Sequence, residues 1–211
     1  MATDIHYTEI FGPTIQGEGP HVGQLRNFLR LAGCNLSCNW CDTKRSWEAG
    51  NSMPAGMMFH RMEQYPDHPW VITGGEPLLQ QEALCVLLEL NDWRSFEMET
   101  NGTIFPDGIL PAAIDFYSVS PKKGFICAEV LEHFDRWTNC CFKPVCATAE
   151  DVQYFWRLFR NYVSPVFVMP QGVTPAELDE CLKVIVPAAL DCGFNVSDRF
   201  HIRLWGNVEG R

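Results

Sequence analysis

The sequence predicts an α/β fold: an open, partial (β/α) barrel of about six parallel strands in one domain spanning residues 1–211. Three observations predict it. Short apolar runs of strand length alternate with stretches of helical periodicity. Strand after strand ends in Gly, Pro or polar residues that begin the next turn, and α/β folds bind ligands at those carboxyl ends. No repeat, low-complexity run or interdomain linker breaks the pattern, and about six strands are too few to close an eight-stranded barrel.

Composition narrows the function. Net charge is −10, with 26 acidic against 16 basic residues and no Lys/Arg run, so the chain lacks the basic footprint of a nucleic-acid binder. A small anion held by one or two cations stays open. The start, Met1-Ala-Thr-Asp-Ile-His, has no basic region followed by an apolar run, and no apolar stretch has membrane-spanning length. The expected compartment is therefore the cytoplasm. Thiols stay reduced there, and ten cysteines read as metal-binding or catalytic rather than as a disulfide framework.

Taken in order, residues 4–20 hold three glycines and two prolines within nine positions, from Gly12 to Pro20, and read as a loop. This is a surface turn, or a backbone laid against a ligand with Gln16 and Glu18 supplying hydrogen bonds. Residues 24–32 form the first strand and run into Gly33; Arg30 at its end is a solvated charge or a clamp for a carboxylate. Residues 44–69 are irregular, with a short helix around Met57–Gln64. Pro69–Thr73 is a buried strand ending in Gly74-Gly75-Glu76-Pro77. Leu78 to Trp93 carries apolar residues at helical spacing, with Cys85 among them. Further strands are expected at Ser95–Glu99, Asp115–Val119, Cys141–Val145, Val166–Met169 and Phe200–Trp205. Helices are expected at 128–137, from Thr148 to Tyr162, and from Thr174 to Gly193. Thr148 with Asp151 resembles a capping box. Thr174-Pro175-Ala176-Glu177 supplies an N-cap Thr, a first-position Pro and a Glu at the third, and Pro187 predicts a kink.

The chemistry centres on Gly33-Cys34-Asn35-Leu36-Ser37-Cys38-Asn39-Trp40-Cys41-Asp42-Thr43. Three cysteines in a C-x3-C-x2-C spacing can converge on one side of a tight turn, and thiolates are the usual ligands of iron–sulfur clusters. No fourth Cys follows locally, so one iron of a four-iron cluster would keep an open position, the mark of a catalytic rather than a closed site. A zinc ion completed by a distant ligand is the alternative. The cysteine loop would share one cavity with Gly74-Gly75-Glu76, Glu99-Thr100-Asn101, Ser120-Pro121-Lys122 and Pro170-Gln171-Gly172. Cys140, Cys141 and Cys146 could suggest a second cluster, but adjacent strand residues point to opposite faces. Cys127, Cys181 and Cys192 read as buried fillers.

The C-x3-C-x2-C stretch, with Trp40 before its third Cys, resembles that of radical S-adenosylmethionine (SAM) enzymes. Thr14-Ile15-Gln16-Gly17-Glu18-Gly19, Arg30-Leu31-Ala32-Gly33-Cys34, Cys41-Asp42-Thr43, Thr73-Gly74-Gly75-Glu76-Pro77, Glu99-Thr100-Asn101-Gly102 and Ser120-Pro121-Lys122 extend the likeness over nearly the whole chain. In that order they resemble the 7-carboxy-7-deazaguanine synthase family. The resemblance implies a trimmed radical SAM core that converts 6-carboxy-5,6,7,8-tetrahydropterin to 7-carboxy-7-deazaguanine with loss of ammonia. It implies one [4Fe-4S] cluster, SAM and Mg2+ as cofactors, an external electron donor, and a homodimer. Residue by residue, it implies cluster ligation by Cys34, Cys38 and Cys41, and Mg2+ ligation by Thr43. Pterin contacts would come from Ile15, Gln16, Gly17, Glu18, Arg30, Thr73, His201 and the Arg211 carboxylate. SAM contacts would come from Trp40, Asp42, Gly75, Glu99, Ser120, Pro121, Lys122, Met169, Pro170, Gln171 and Gly172. No side chain is implied as acid or base. The tail departs from other members: Leu204-Trp205-Gly206-Asn207 matches one subgroup, with Glu209 where that subgroup has Arg. Two other readings remain: another small radical SAM enzyme such as a glycyl-radical activase, which would lack Gln16-Gly17-Glu18 and Thr43, and a zinc-stabilised binding module.

Overall fold

The computed structural model describes residues 3–48, 50–91 and 94–210. Its main sheet has seven strands in the order β3-β1-β2-β4-β5-β6-β7. Here β1 is Asp4–Ile15, β2 Leu25–Leu31, β3 Asn51–Pro54, β4 Trp70–Gly74, β5 Phe96–Thr100, β6 Phe116–Val119 and β7 Cys140–Phe142. From β2 to β7 every pairing is parallel, whereas β1 runs antiparallel to both β2 and β3. A second, parallel sheet follows in the order β10-β9-β8, with β8 at Val145–Cys146, β9 at Phe167–Pro170 and β10 at Asn195–Val196. A parallel bridge between Phe142 and Val166 carries the curve from one sheet to the next. If β7 and β8 count as one strand interrupted at Lys143-Pro144, six parallel strands of at least four residues or two joined segments make an open arc, with β10 as a short addition.

Two expectations fail. Residues 4–15 are a strand, not a loop. Gly12 and Pro13, which argued for a loop, sit where the β1–β2 register shifts between Phe11 and Thr14, an irregularity that accommodates both residue types within a sheet. Gly12 is required there: its φ is +142°, and a Cβ would lie 2.4 Å from Asn27 Oδ1. Residues 200–205 are a helix, not a final strand. Phe200, Ile202 and Leu204 alternate as a strand would, but only Ile202 is buried. The segment is docked by its start, where the Phe200 N–H donates to Gly17 O at 2.8 Å. In addition, 44–69 is less irregular than expected, since it holds β3.

The helices are α1 (Ala55–Met62), α2 (Gln81–Glu89), α3 (Leu110–Ala113), α4 (Ala128–Asp135), α5 (Ala149–Phe159), α6 (Pro175–Cys192) and α7 (Phe200–Trp205). Both capping boxes form: Thr148 with Asp151 opens α5, and Thr174 with Glu177 opens α6. Helix α6 contains Pro187 and ends on Gly193 at φ +71°, the left-handed cap that glycine supplies without strain. The expected extension of α2 to Trp93 reaches beyond the described residues; the helix itself ends at Glu89.

Strand alternation sorts side chains to two faces. Leu29, Leu31, Trp70, Ile72, Phe96, Met98, Tyr117, Val119, Cys140 and Phe142 enter the main core, where Met58, Leu84, Leu87, Leu131, Phe134, Phe155 and Ile185 from the helices meet them. The alternate positions face the concave side in layers. At the base, Arg26 donates to Glu97 Oε1 at 2.6 Å, and His21 Nδ1 lies 3.0 Å from the same oxygen. Above it, Phe11 and Phe28 stack at 5.0 Å and pack with Val71. At the carboxyl ends stand Arg30, Thr73 and Glu99.

Candidate active site

A cavity of about 600 Å3 opens on the concave side at the strands' carboxyl ends, within the usual range for small-molecule sites. Cys34, Cys38 and Cys41 line it, with Trp40, Asp42 and Thr43 from the same loop. The loop is held from below. The Gly33 N–H donates to Ser46 O (2.7 Å), and the N–H groups of Gly75 and Glu76 donate to Leu31 O (3.1 Å) and Gly33 O (2.9 Å). Gly75 is there because of this approach: a Cβ would fall 1.9 Å from Gly33 O.

All ten cysteines are free. Burial pushes the Cys34 and Cys38 thiols up, and the other cavity thiols add repulsion, while Lys122 pulls Cys38 back. Among the described residues, no three His, Cys, Asp or Glu side chains gather round one ion-sized point. Three cysteines on one short loop, lining one cavity, supply the ligand type of a polynuclear iron–sulfur cluster. Cys140, Cys141 and Cys146 are buried away from this cavity. Cys140 and Cys141 pair separately with Ser164 and Ser118, at 3.7 Å each, and burial raises their thiols to about 12 and about 11.

A charged network lines the same cavity. Lys143, at the break between β7 and β8 and 2 % exposed, donates to Glu18 Oε2 (2.7 Å) and Glu99 Oε1 (3.0 Å). Burial opposes its charge, but the two carboxylates outweigh burial and raise its pKa. Burial likewise works against the Glu18 anion, yet Lys143, Arg199 and His201 hold it well below the ordinary carboxylate range. Thr73 donates to Glu99 Oε2 (2.8 Å), and Gln16 reaches Glu99 Oε1 at 3.5 Å. Arg199 donates through Nε to Glu18 Oε1 (3.0 Å), through Nη1 to Gly172 O (2.6 Å) and through Nη2 to Asp42. The second Asp42 oxygen accepts the Thr43 hydroxyl proton at 2.7 Å, which leaves the Thr43 oxygen's lone pairs available to a hard cation. His201 packs directly on Gly17 and is pushed below its usual value, chiefly by burial and against the pull of Glu18.

A third group lies at the mouth. Glu9 accepts from Arg30 Nε (2.5 Å), Arg45 Nη2 (2.7 Å) and the Gly210 N–H (3.0 Å); Arg45 also meets Glu209 at 3.0 Å. Arg30 therefore arrives already oriented, with its guanidinium over the Phe11 ring at 5.9 Å from the centroid.

Of the residues expected at a site, Ile15, Gln16, Gly17, Glu18, Arg30, Thr73, Gly75, Glu99, Ser120, Lys122, Met169, Gln171, Gly172 and His201 line this cavity with the cysteine loop. Lys122 donates to Ser120 Oγ at 2.5 Å and lies 5.6 Å from the Trp40 ring. Pro121 and Pro170 are not among the lining residues, and Arg211 lies outside the described ones. Glu76, expected to face the cavity with Gly74 and Gly75, does not. It is fully buried and accepts from the Asn101 N–H (2.7 Å), the Thr100 hydroxyl (2.8 Å) and the Leu78 N–H (3.0 Å), tying the end of β4 to the end of β5. Lys143, Arg199, Arg45 and Glu9 were not anticipated. Lys143 had a sequence signal, as the lone charge in Cys140-Cys141-Phe142-Lys143-Pro144-Val145; Arg199 had none.

The radical SAM superfamily profile matches residues 29–124. The 7-carboxy-7-deazaguanine synthase of Pyrobaculum aerophilum is 36 % identical over 220 aligned positions, covering 98 % of this chain and 97 % of its own. That of Bacillus subtilis strain 168 is 30 % identical, with full coverage of both chains. The crystal structure of QueE from Escherichia coli superposes with a TM-score of 0.74 at 22 % identity, covering 94 % of this chain and 95 % of that one. No helix among the described residues is long and apolar enough to cross a membrane.

Proposed function

We propose, for a chain that belongs to the 7-carboxy-7-deazaguanine synthase family of radical SAM enzymes, that the cavity's two walls divide the work: the cysteine-loop wall holds the cofactors and the Glu18 wall holds the pterin. The reaction is the conversion of 6-carboxy-5,6,7,8-tetrahydropterin to 7-carboxy-7-deazaguanine with release of ammonia, a carbon–nitrogen lyase step of queuosine-type 7-deazapurine biosynthesis. A [4Fe-4S] cluster and SAM are its cofactors; together they supply a carbon radical able to remove one hydrogen atom from the substrate.

The chain's own residues bind, orient and enclose. Cys34, Cys38 and Cys41 hold the cluster, and Lys122 places a positive charge beside Cys38. Trp40, Asp42, Gly75, Glu99, Ser120, Lys122 and the Met169–Gly172 turn hold SAM. Gln16 and Glu18 face the amino-pyrimidinone edge, because a carboxylate oxygen and an amide offer the acceptors that its N–H groups need. Arg30, turned by Glu9, faces the pterin carboxylate, and Thr43 offers Mg2+ an oxygen next to it. Thr73, His201 and the backbone at Ile15 and Gly17 complete the pterin wall. The stacked Phe11 and Phe28 and the Arg26–Glu97 pair close the base, which keeps water from a reactive radical. The chain works as one domain over 1–211, paired with a second copy and fed by an external electron donor. Ten free thiols suit the reducing cytoplasm.

One observation carries this reading: the cysteine trio, Thr43, Arg30 and Glu18 line a single cavity. Anaerobically reconstituted protein given the carboxypterin, SAM, Mg2+ and a reductant should form the deazaguanine acid. Cleavage of SAM with an intact cluster but no such product would overturn the substrate assignment in favour of another radical SAM reaction.

A further inference from the structure

We propose that Arg199 is a positioning residue that couples occupancy of the SAM side of the cavity to occupancy of the pterin side. The inference rests on the division of the cavity just given. Arg199 is 6 % exposed and stands at the N-cap of α7. Its single guanidinium spans three segments that are remote in sequence: Glu18 by Nε, Gly172 O by Nη1 and Asp42 by Nη2. Two of these, Asp42 and the turn at Gly172, belong to the cofactor wall; Glu18 belongs to the pterin wall. Each carboxylate continues the chain outward, Glu18 to Lys143 (2.7 Å) and Asp42 to the Thr43 hydroxyl (2.7 Å).

A planar fork with fixed donor directions cannot follow one wall without drawing on the others. A ligand that orders Asp42 and the Gly172 turn therefore fixes the guanidinium, and with it Glu18, before the second ligand arrives. The second ligand then orders less and binds more tightly, and linkage makes the effect reciprocal. Charge alone would not do this. Glu18, Glu99 and Asp42 face Lys143 and Arg199, and a lysine at position 199 would preserve that balance while losing the three-way fork.

The test measures binding of the carboxypterin to the cluster-loaded enzyme by anaerobic calorimetry, with and without SAM. No reductant is added, so no turnover occurs. The coupling factor is the ratio of the two dissociation constants. Arg199→Lys should shrink that factor by about five-fold or more, the lower end of typical coupling strengths, and Arg199→Gln, which keeps an amide donor but not the three-way fork, should shrink it too. Arg203→Gln serves as the control, since Arg203 lies on the same helix and pairs outward with Asp179 and Asp198; it should leave the factor unchanged. An unchanged factor in Arg199→Lys overturns the proposal, as does an equal loss in Arg203→Gln, which would show mere loosening of α7. If Arg199→Lys does not fold, Arg199→Gln decides in the same way. Failure of the unaltered enzyme to bind the pterin at all would instead overturn the functional reading, and this inference with it.

Discussion

Replacing Gly17 by Ala places one methyl group against the His201 ring, which lines the same cavity. The new Cβ would lie 2.0 Å from His201 Nδ1, 2.7 Å from its Cγ and 2.9 Å from its Cβ, where carbon contacts prefer about 3.5–4.0 Å. The imidazole must retreat by roughly 1.5 Å on that comparison. Retreat is resisted, because the Phe200 N–H is bonded to Gly17 O at 2.8 Å and Arg199 binds Glu18 one residue on. Gly17 does not use the left-handed backbone region, so the cost comes from the collision itself. Overpacking of this kind costs about 1–3 kcal/mol. In a chain of this size each kcal/mol lowers Tm by about 2–4 °C. Where the cost falls on pterin binding, KM rises between about 5- and 150-fold. Thermal unfolding and KM measured on Gly17→Ala, His201→Ala and the double variant test this. The double variant should recover at least about 1 kcal/mol relative to the sum of the single effects, because removing the ring deletes two of the three colliding atoms. Additive effects, or a Gly17→Ala enzyme with unchanged Tm and KM, would refute the packing argument.

Lys143→Met strips the shared cation from two carboxylates; the loss should approach about 3 kcal/mol in urea unfolding, the low end for a broken buried pair because Glu18 keeps Arg199. His201 is held below its ordinary value by burial, so on acidification the unfolded chain takes up that proton first. Stability should therefore fall as pH drops through about 6.5 towards the folded-state value, by no more than about 1.4 kcal/mol per pH unit, and His201→Asn should flatten that part of the unfolding profile. Glu18 acts lower down: its contribution is complete above the ordinary carboxylate range and disappears as pH falls through its depressed value, so Glu18→Gln should be less acid-labile than the unaltered enzyme. Cys38→Ala should abolish iron incorporation measured by metal analysis and absorbance near ~400 nm, whereas Cys140→Ala should leave both intact.

The parallel strands were legible because each is an apolar run stopped by Gly, Pro or a polar cluster, as in Trp70–Gly74 before Gly75 and Phe96–Thr100 before Asn101. The starts of α5 and α6 were legible because a capping box is local chemistry. β1 was not, since Gly12-Pro13 marks a register shift as readily as a loop, and only the partner strand distinguishes them. Phe200–Trp205 alternates like a strand, and its helical form depends on a backbone bond to Gly17, far away in sequence. The cysteine loop could be read because three cysteines fall within eight residues. Arg199 could not, because its meaning lies in contacts with positions 18, 42 and 172. Glu76 shows the opposite error: a motif residue spoke for the cavity but is spent on joining two strand ends.

The alternation along β2, β4, β5, β6 and β7 separates two kinds of evolutionary freedom. Leu29, Ile72, Met98 and Val119 answer to the helices behind them, whereas Arg30, Thr73, Glu99 and Ser120, each an immediate neighbour in sequence, line the cavity in front. A lineage could therefore retune the heterocycle it accepts by exchanging single alternate residues while the helical backing stays as it is, and libraries restricted to the concave positions should retain folded members far more often than libraries of equal size drawn from the strands at large.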